Sequence, residues 1–228
     1  MANPQVLTIA ATGASGAPFT RALLQVVEQD WRIKNVNFIA SDNALRVFAE
    51  ELEVKGRSDL VQKLLGARST KIEQQNNDDI GANVASGSYP TNAMIVIPCS
   101  MGTLAGIAHG LTRNLIERAA DVCLKEKRPL VLCVREAPLN RIHIRNMDAA
   151  AEAGATIYPL TPTFYDRPAS VAVMAHQFAC RVLGYVGLEQ DDAFRWEKKS
   201  LPRRHAGVEA GRAADQDRVI GTSGDRVI

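Results

Sequence analysis

The chain has 228 residues, 46% of them hydrophobic and 23% charged, with a formal net charge of +2. That length suits one large domain with a sizeable core, and the small charge, spread without a basic tract in the body, gives no reason to expect nucleic-acid or membrane-surface partners. Cys99, Cys123, Cys133 and Cys180 show no CxxC pairing, no leader pattern follows Met1, and no apolar run approaches bilayer length, so a cytoplasmic chain with free buried thiols is expected.

Val6–Ala11 reads as a buried strand, followed by a helix over Pro18–Gln29 with Pro18 in its first turn. Val36–Ala40 is a second strand, and Ser41 or Asp42 can cap the helix that runs to about Glu51. Residues 52–81 are less regular, with a short helix expected at Ser58–Leu65. Met94–Ile97 is the next strand, followed by a Gly/Ala-rich helix over Thr103–His109. The helix from Asn114 to Lys127 is amphipathic, with Leu115, Ala119, Val122 and Cys123 on one face.

Leu130–Val134 is another strand, Arg141–Ala153 a helix with Gly154 at its end, Ala155–Tyr158 the last strand and Ser170–Leu183 the last helix. Strands alternating with helices predict βαβ crossovers and a single-domain parallel α/β sheet. The segment 197–228 lacks apolar periodicity and is expected to be a disordered tail.

Five of these strands end in small, polar or basic residues: Gly13-Ala14-Ser15-Gly16, Ser41, Pro98-Cys99-Ser100-Met101-Gly102-Thr103, Arg135-Glu136-Ala137-Pro138 and Thr161–Pro168. Ligands of open parallel sheets bind beyond the carboxyl ends of strands, so these loops are expected to line one pocket. The Gly13–Gly16 loop opens a helix and could hold an anion on backbone N–H groups, or could be a tight turn capped by Ser15. It is not GxGxxG, and Ser41 stands where a dinucleotide site places an acid, which favours a mononucleotide phosphate.

Arg118 and Lys125 share a helix face. Arg135 and Glu136 lie at a strand end and Tyr165 and Arg181 in the last loop and helix, a placement that favours a polyanion site over plain solvated surface. His109, His143, His176 and His205 are read as having no metal-ligand partner at helical spacing. No metal site and no hydrolytic triad are expected.

The segments Thr12–Ala17, Pro98–Gly110, Glu117–Leu132, Arg135–Pro138 and Phe164–Pro168 resemble the UbiX flavin prenyltransferase family, over about Val6 to Trp196. The resemblance implies a Rossmann-like (flavodoxin-like) three-layer flavoprotein domain over residues 1–196. It further implies transfer of a dimethylallyl group from dimethylallyl monophosphate to N5 and C6 of reduced FMN, without a metal. The prenylated FMN would serve a UbiD-type decarboxylase.

FMN contacts are implied at Gly13, Ala14, Ser15, Ser41, Ser100, Met101, Gly102, Thr103 and Arg135. Prenyl-phosphate contacts are implied at Tyr165, Arg181, Arg118 and Lys125, with Trp196 an aromatic near the site. Glu51 and Glu136 match carboxylates that handle protons, and Lys125 would also stabilise the leaving charge. A homo-oligomer, possibly a dodecamer with pockets between subunits, is implied. Asp42 replaces a common Lys and Asp166 a common His. The alternatives are an FMN-dependent cysteine decarboxylase of the same fold, whose early catalytic His this chain lacks, and a non-catalytic FMN-delivery subunit.

Overall fold

Six parallel strands alternate with seven helices in a computed structural model that describes residues 5–195. The elements belong to a unit spanning Met1–Phe194. They are β1 (Gln5–Ala11), α1 (Ala17–Gln29), β2 (Ile33–Ala40), α2 (Asp42–Leu52), α3 (Leu60–Leu65) and β3 (Ile72–Gln75). Then follow β4 (Ala93–Cys99), α4 (Met101–Ala108), α5 (Leu115–Lys125), β5 (Leu130–Val134), α6 (Arg141–Glu152), β6 (Thr156–Ile157) and α7 (Val171–Tyr185). Trp196 and the expected tail over 197–228 lie outside the described residues.

The sheet order is β3-β2-β1-β4-β5-β6, all parallel, which is the Rossmann arrangement. The chain works outward from β1 to β3 and then returns to β4 on the other side of β1. Between β1 and β4 the connections therefore diverge to opposite sides and leave a crevice at the strands' carboxyl ends.

Alternate residues of the central strands face opposite layers, as the two-residue period requires. Leu7, Ile9, Ile95, Ile97, Val131 and Cys133 pack with α1, α3 and α7, whereas Ala10, Met94, Val96, Leu130 and Leu132 pack with α4, α5 and α6. Both faces are covered, so these strands are continuously apolar rather than alternating. Leu115, Ala119, Val122 and Cys123 are all buried, as the amphipathic pattern of α5 anticipates. All four cysteines are free and buried.

The sequence pattern misses β3, an edge strand within the irregular stretch. Its Ile72-Glu73-Gln74-Gln75 carries a single apolar side chain, and its backbone pairing with β2 supplies what side-chain pattern does not. Asn114 lies outside α5 as its N-cap, its side chain accepting the Glu117 N–H at 3.0 Å. Among the described residues, no helix is long and apolar enough to cross a membrane.

Candidate active site

Thr12 fastens the crevice between β1 and β4. Its hydroxyl donates to the Pro98 carbonyl at 2.9 Å and accepts the Ser100 N–H at 2.7 Å, locking the two strand-end loops together. Ser41 and Ser100 cap α2 and α4, accepting the Ala44 and Thr103 N–H groups at 3.1 and 3.4 Å. Two helix N-termini thus open onto one cleft of about 630 Å³, a volume within the range of small-molecule sites.

The cleft is lined by Thr12 and by Gly13, Ser41, Ser100, Gly102 and Thr103, the last five singled out by the strand-end pattern. At Gly102 a Cβ would meet nothing within 4 Å, so the backbone there is open to a ligand. Gly13 has the opposite constraint, because a Cβ would lie 2.5 Å from that of Asn43 on α2. Hydroxyls, side-chain amides and open backbone suit a polar ring edge and a polyol chain, the parts that FMN presents.

Sequence reasoning missed the far wall, formed by Asn43, Asn77, His109, Arg113, Asn114 and Glu117. Glu117 is only 2% exposed and is gripped by the Arg113 side chain at 2.5 and 3.1 Å and by the Arg113 N–H at 3.0 Å. Burial alone would raise the Glu117 pKa, but Arg113 outweighs it and holds the carboxyl below the usual carboxylate range. Gly106 makes room for this pair, since a Cβ there would sit 2.5 Å from Glu117 Oε1. A glutamate three residues after a capping Asn, just before an apolar stripe, was the available sequence signal.

The anion site expected at the start of α1 is filled from within the chain. Gly16 has φ 135° and would place a Cβ 2.7 Å from Leu160, so only glycine suits the turn. No Ser15 cap forms. The Glu51 carboxylate instead accepts the Gly16 N–H at 3.0 and 3.2 Å and the Ala17 N–H at 2.8 Å. Ser15 is exposed, while Ala14 and Met101 are buried, Met101 in the core against α4 and α5.

In the single chain the loops expected to complete one pocket do not all reach this cleft. Arg135 and Glu136 are exposed at the end of β5; the Arg135 N–H donates to Cys99 O at 3.2 Å, and Glu136 folds back to accept the Ala137 N–H at 3.0 Å. Arg118 donates to the Ala85 carbonyl and pairs with Asp121 at 2.8 Å. Lys125 pairs with Glu126 at 2.7 Å and lies about 12 Å along α5 from Glu117, at 1.5 Å per residue.

Tyr165 is 70% exposed in the loop before α7. Arg181 is exposed about 15 Å further along that helix, beside Tyr158, whose hydroxyl pKa burial raises against the Arg181 charge. Asp42, the departure in the second loop, pairs with Arg57 at 2.5 Å.

The reading of the histidines needs correction. Cys180 follows His176 by one turn of α7, and Asp192 joins them, so a ligand-type cluster does exist at helical spacing. Burial pushes the Cys99, Cys123 and Cys180 thiols alike up to about 12.

A family profile described as Flavoprotein matches residues 1–177. The chain is 42% identical over 207 residues to a flavin prenyltransferase UbiX of Pseudomonas aeruginosa, covering 88% of this chain and 98% of the relative. Among solved structures, it is similar to a dodecameric FMN-dependent UbiX-like decarboxylase from Escherichia coli O157:H7, with a TM-score of 0.76, 40% identity and coverage of 85% of this chain and 100% of the other. It is also similar to AnUbiX in complex with FMN and dimethylallyl pyrophosphate, with a TM-score of 0.77, 35% identity and coverage of 86% and 100%.

Proposed function

We infer the function from one premise: the chain belongs to the UbiX flavin prenyltransferase family, within the flavoproteins. It is a prenyl-transferring enzyme whose acceptor is FMN. The observation that carries this reading is the hydroxyl- and amide-lined cleft at the β1/β4 switch point, with two capped helix N-termini opening into it.

Reduced flavin supplies the nucleophile when bound, and a dimethylallyl phosphate ester supplies the electrophilic carbon. Dimethylallyl monophosphate is the proposed donor. Ser41, Ser100 and Thr103 hydroxyls, Gly13 and the open Gly102 backbone orient the flavin from the cleft wall, and Ala14, Ser15 and Met101 stand beside these residues in the chain. Glu51 fixes the Gly16–Ala17 turn and is proposed as a positioning residue and a proton handler.

Departure of the phosphate is favoured where fixed cations meet its growing charge. Arg135, exposed at the end of β5, is proposed as one such group. Tyr165, Arg181, Lys125 and Arg118 would complete the phosphate grip in an oligomer, because one copy alone holds Lys125 and Arg181 away from the cleft. Glu136 is available to accept the proton lost on ring closure. The product, prenylated FMN, is proposed to serve a UbiD-type decarboxylase in the cytoplasm.

Mass spectrometry of the flavin after anaerobic incubation with reduced FMN and dimethylallyl monophosphate tests the reading. A flavin heavier by one prenyl unit is expected. Unchanged flavin mass with folded, FMN-binding protein would overturn it.

A further inference from the structure

His176 and Cys180 point the same way from α7, and the chain beyond the helix folds back so that Asp192 meets both. His176 Nε2 is hydrogen-bonded to the Asp192 carboxylate, and Cys180 Sγ lies 3.5 Å from that nitrogen and 3.6 Å from Asp192 Oδ1. Ligands of a tetrahedral zinc ion, bound at about 2.0–2.3 Å, stand about 3.5 Å from one another. The spacing around the thiol is therefore that of a ligand set, and all three donor atoms lie within 4.8 Å of one another.

The segment carrying Asp192 is held in register by bonds on both sides. Gln177 donates to the Asp192 carbonyl at 3.0 Å and accepts the Phe194 N–H at 2.7 Å. Arg32 donates to the Glu189 carbonyl at 2.8 Å, and Gln190 to Asp30 Oδ2 at 3.0 Å. A residue that merely capped His176 would not need this clamp, nor a buried thiol within reach of both partners.

His176 and Asp192 line a recess of about 360 Å³, with Glu189, Asp191 and the exposed Trp31 also in its wall, and Cys180 is buried beside them. It lies by the end of α1 and the start of β2, at the amino ends of the strands and opposite the flavin cleft. The His176 and Asp192 side chains are 38% and 62% exposed, so an ion can enter and keep a water as fourth ligand.

We propose that His176, Cys180 and Asp192 bind a divalent ion of the zinc class, which ties the segment after α7 onto that helix. An N/S/O donor set with one thiolate selects borderline ions such as Zn²⁺ or Co²⁺ over Mg²⁺ or Ca²⁺, which take oxygen ligands. Binding forms a metal–sulfur bond as the Cys180 S–H proton leaves to the buffer. The imidazole ligates in its neutral form through Nε2, so any proton it carries leaves too. No electron transfer is involved.

The test titrates the full-length, chelator-treated protein with Co²⁺ and then Zn²⁺. One Co²⁺ per chain is expected, with a thiolate-to-metal charge-transfer band that Zn²⁺ abolishes and Mg²⁺ does not. Losing an outer-sphere partner typically costs 10–100-fold in affinity, so Cys180→Ala should abolish the band and weaken Zn²⁺ binding at least about 100-fold. His176→Gln and Asp192→Asn, whose side chains are partly outside the core, should each weaken it similarly while circular dichroism stays unchanged. Absence of the band in the wild-type protein, its survival in Cys180→Ala, or unchanged Zn²⁺ affinity in both exposed-ligand variants would overturn the site.

Discussion

The Glu51 carboxylate, carried on α2, accepts the Ala17 N–H at 2.8 Å and so caps α1 from outside its own helix. The first turn of α1 exposes backbone N–H groups and the positive end of a helix dipole, and here they meet a built-in anion. The glycine-rich loop is held by this contact.

Glu51→Ala should therefore lower stability by about 1–2 kcal/mol, the usual worth of a helix cap, and slow prenyl transfer by loosening the loop. Glu51→Gln keeps one acceptor oxygen and should lose less stability. Urea denaturation of both variants beside prenyl-transfer assays checks this; equal stability of Glu51→Ala and the wild type would show that the cap contributes nothing.

Gly102→Ala separates folding from flavin binding. Its Cβ meets no protein atom within 4 Å, and alanine is the better helix former by up to about 1 kcal/mol. The protein should melt at the same or a higher temperature, while FMN affinity falls about tenfold or more because the methyl projects where the ligand approaches the backbone. Thermal melts beside flavin fluorescence titration read the two effects independently.

Asp30 makes stability depend on acid pH. Burial raises its pKa, but hydrogen bonds from Arg32 and Gln190 outweigh burial and bring it down to about 2. A carboxyl whose folded pKa is depressed contributes stability above its unfolded pKa, near 3.9, and loses that contribution as pH falls through the folded value. Asp30→Asn should cost about 1–2 kcal/mol at pH 7, allowing for solvent screening at the partly exposed Arg32, and the difference should shrink toward pH 2. Denaturant midpoints measured across that range check the sign.

Arg181→Ala should keep FMN binding and raise the Michaelis constant for dimethylallyl monophosphate about tenfold or more, the worth of one charge-assisted contact. Because Tyr165 and Arg181 are about three helical turns apart in one chain, they should serve the same phosphate from different copies. Co-assembly of Tyr165→Phe with Arg181→Ala chains should then restore part of the activity that each variant lacks alone. Equal inactivity of mixed and unmixed assemblies would place both residues in one copy's site.

The sequence by itself determined the layered α/β architecture, every strand except the polar edge strand β3, and the hydroxyl-bearing turns at Ser41 and Ser100. Each depends on local information: apolar runs, a two- or 3.6-residue period, and capping residues next to the helices they serve. The family resemblance rested on contiguous blocks for the same reason.

Only the tertiary structure decided which of those turns share a wall. Glu51 meets Gly16 across 35 positions of chain, and Thr12 meets Ser100 across 88, contacts created by the sheet order rather than by any local pattern. The same order places Lys125 and Arg181 away from the cleft that their residue types suggested. His176 and Cys180 were one turn apart in the sequence, yet they became a cluster only when the chain after α7 turned back and brought Asp192 beside them. Side-chain chemistry is written locally, but its convergence depends on where the backbone returns.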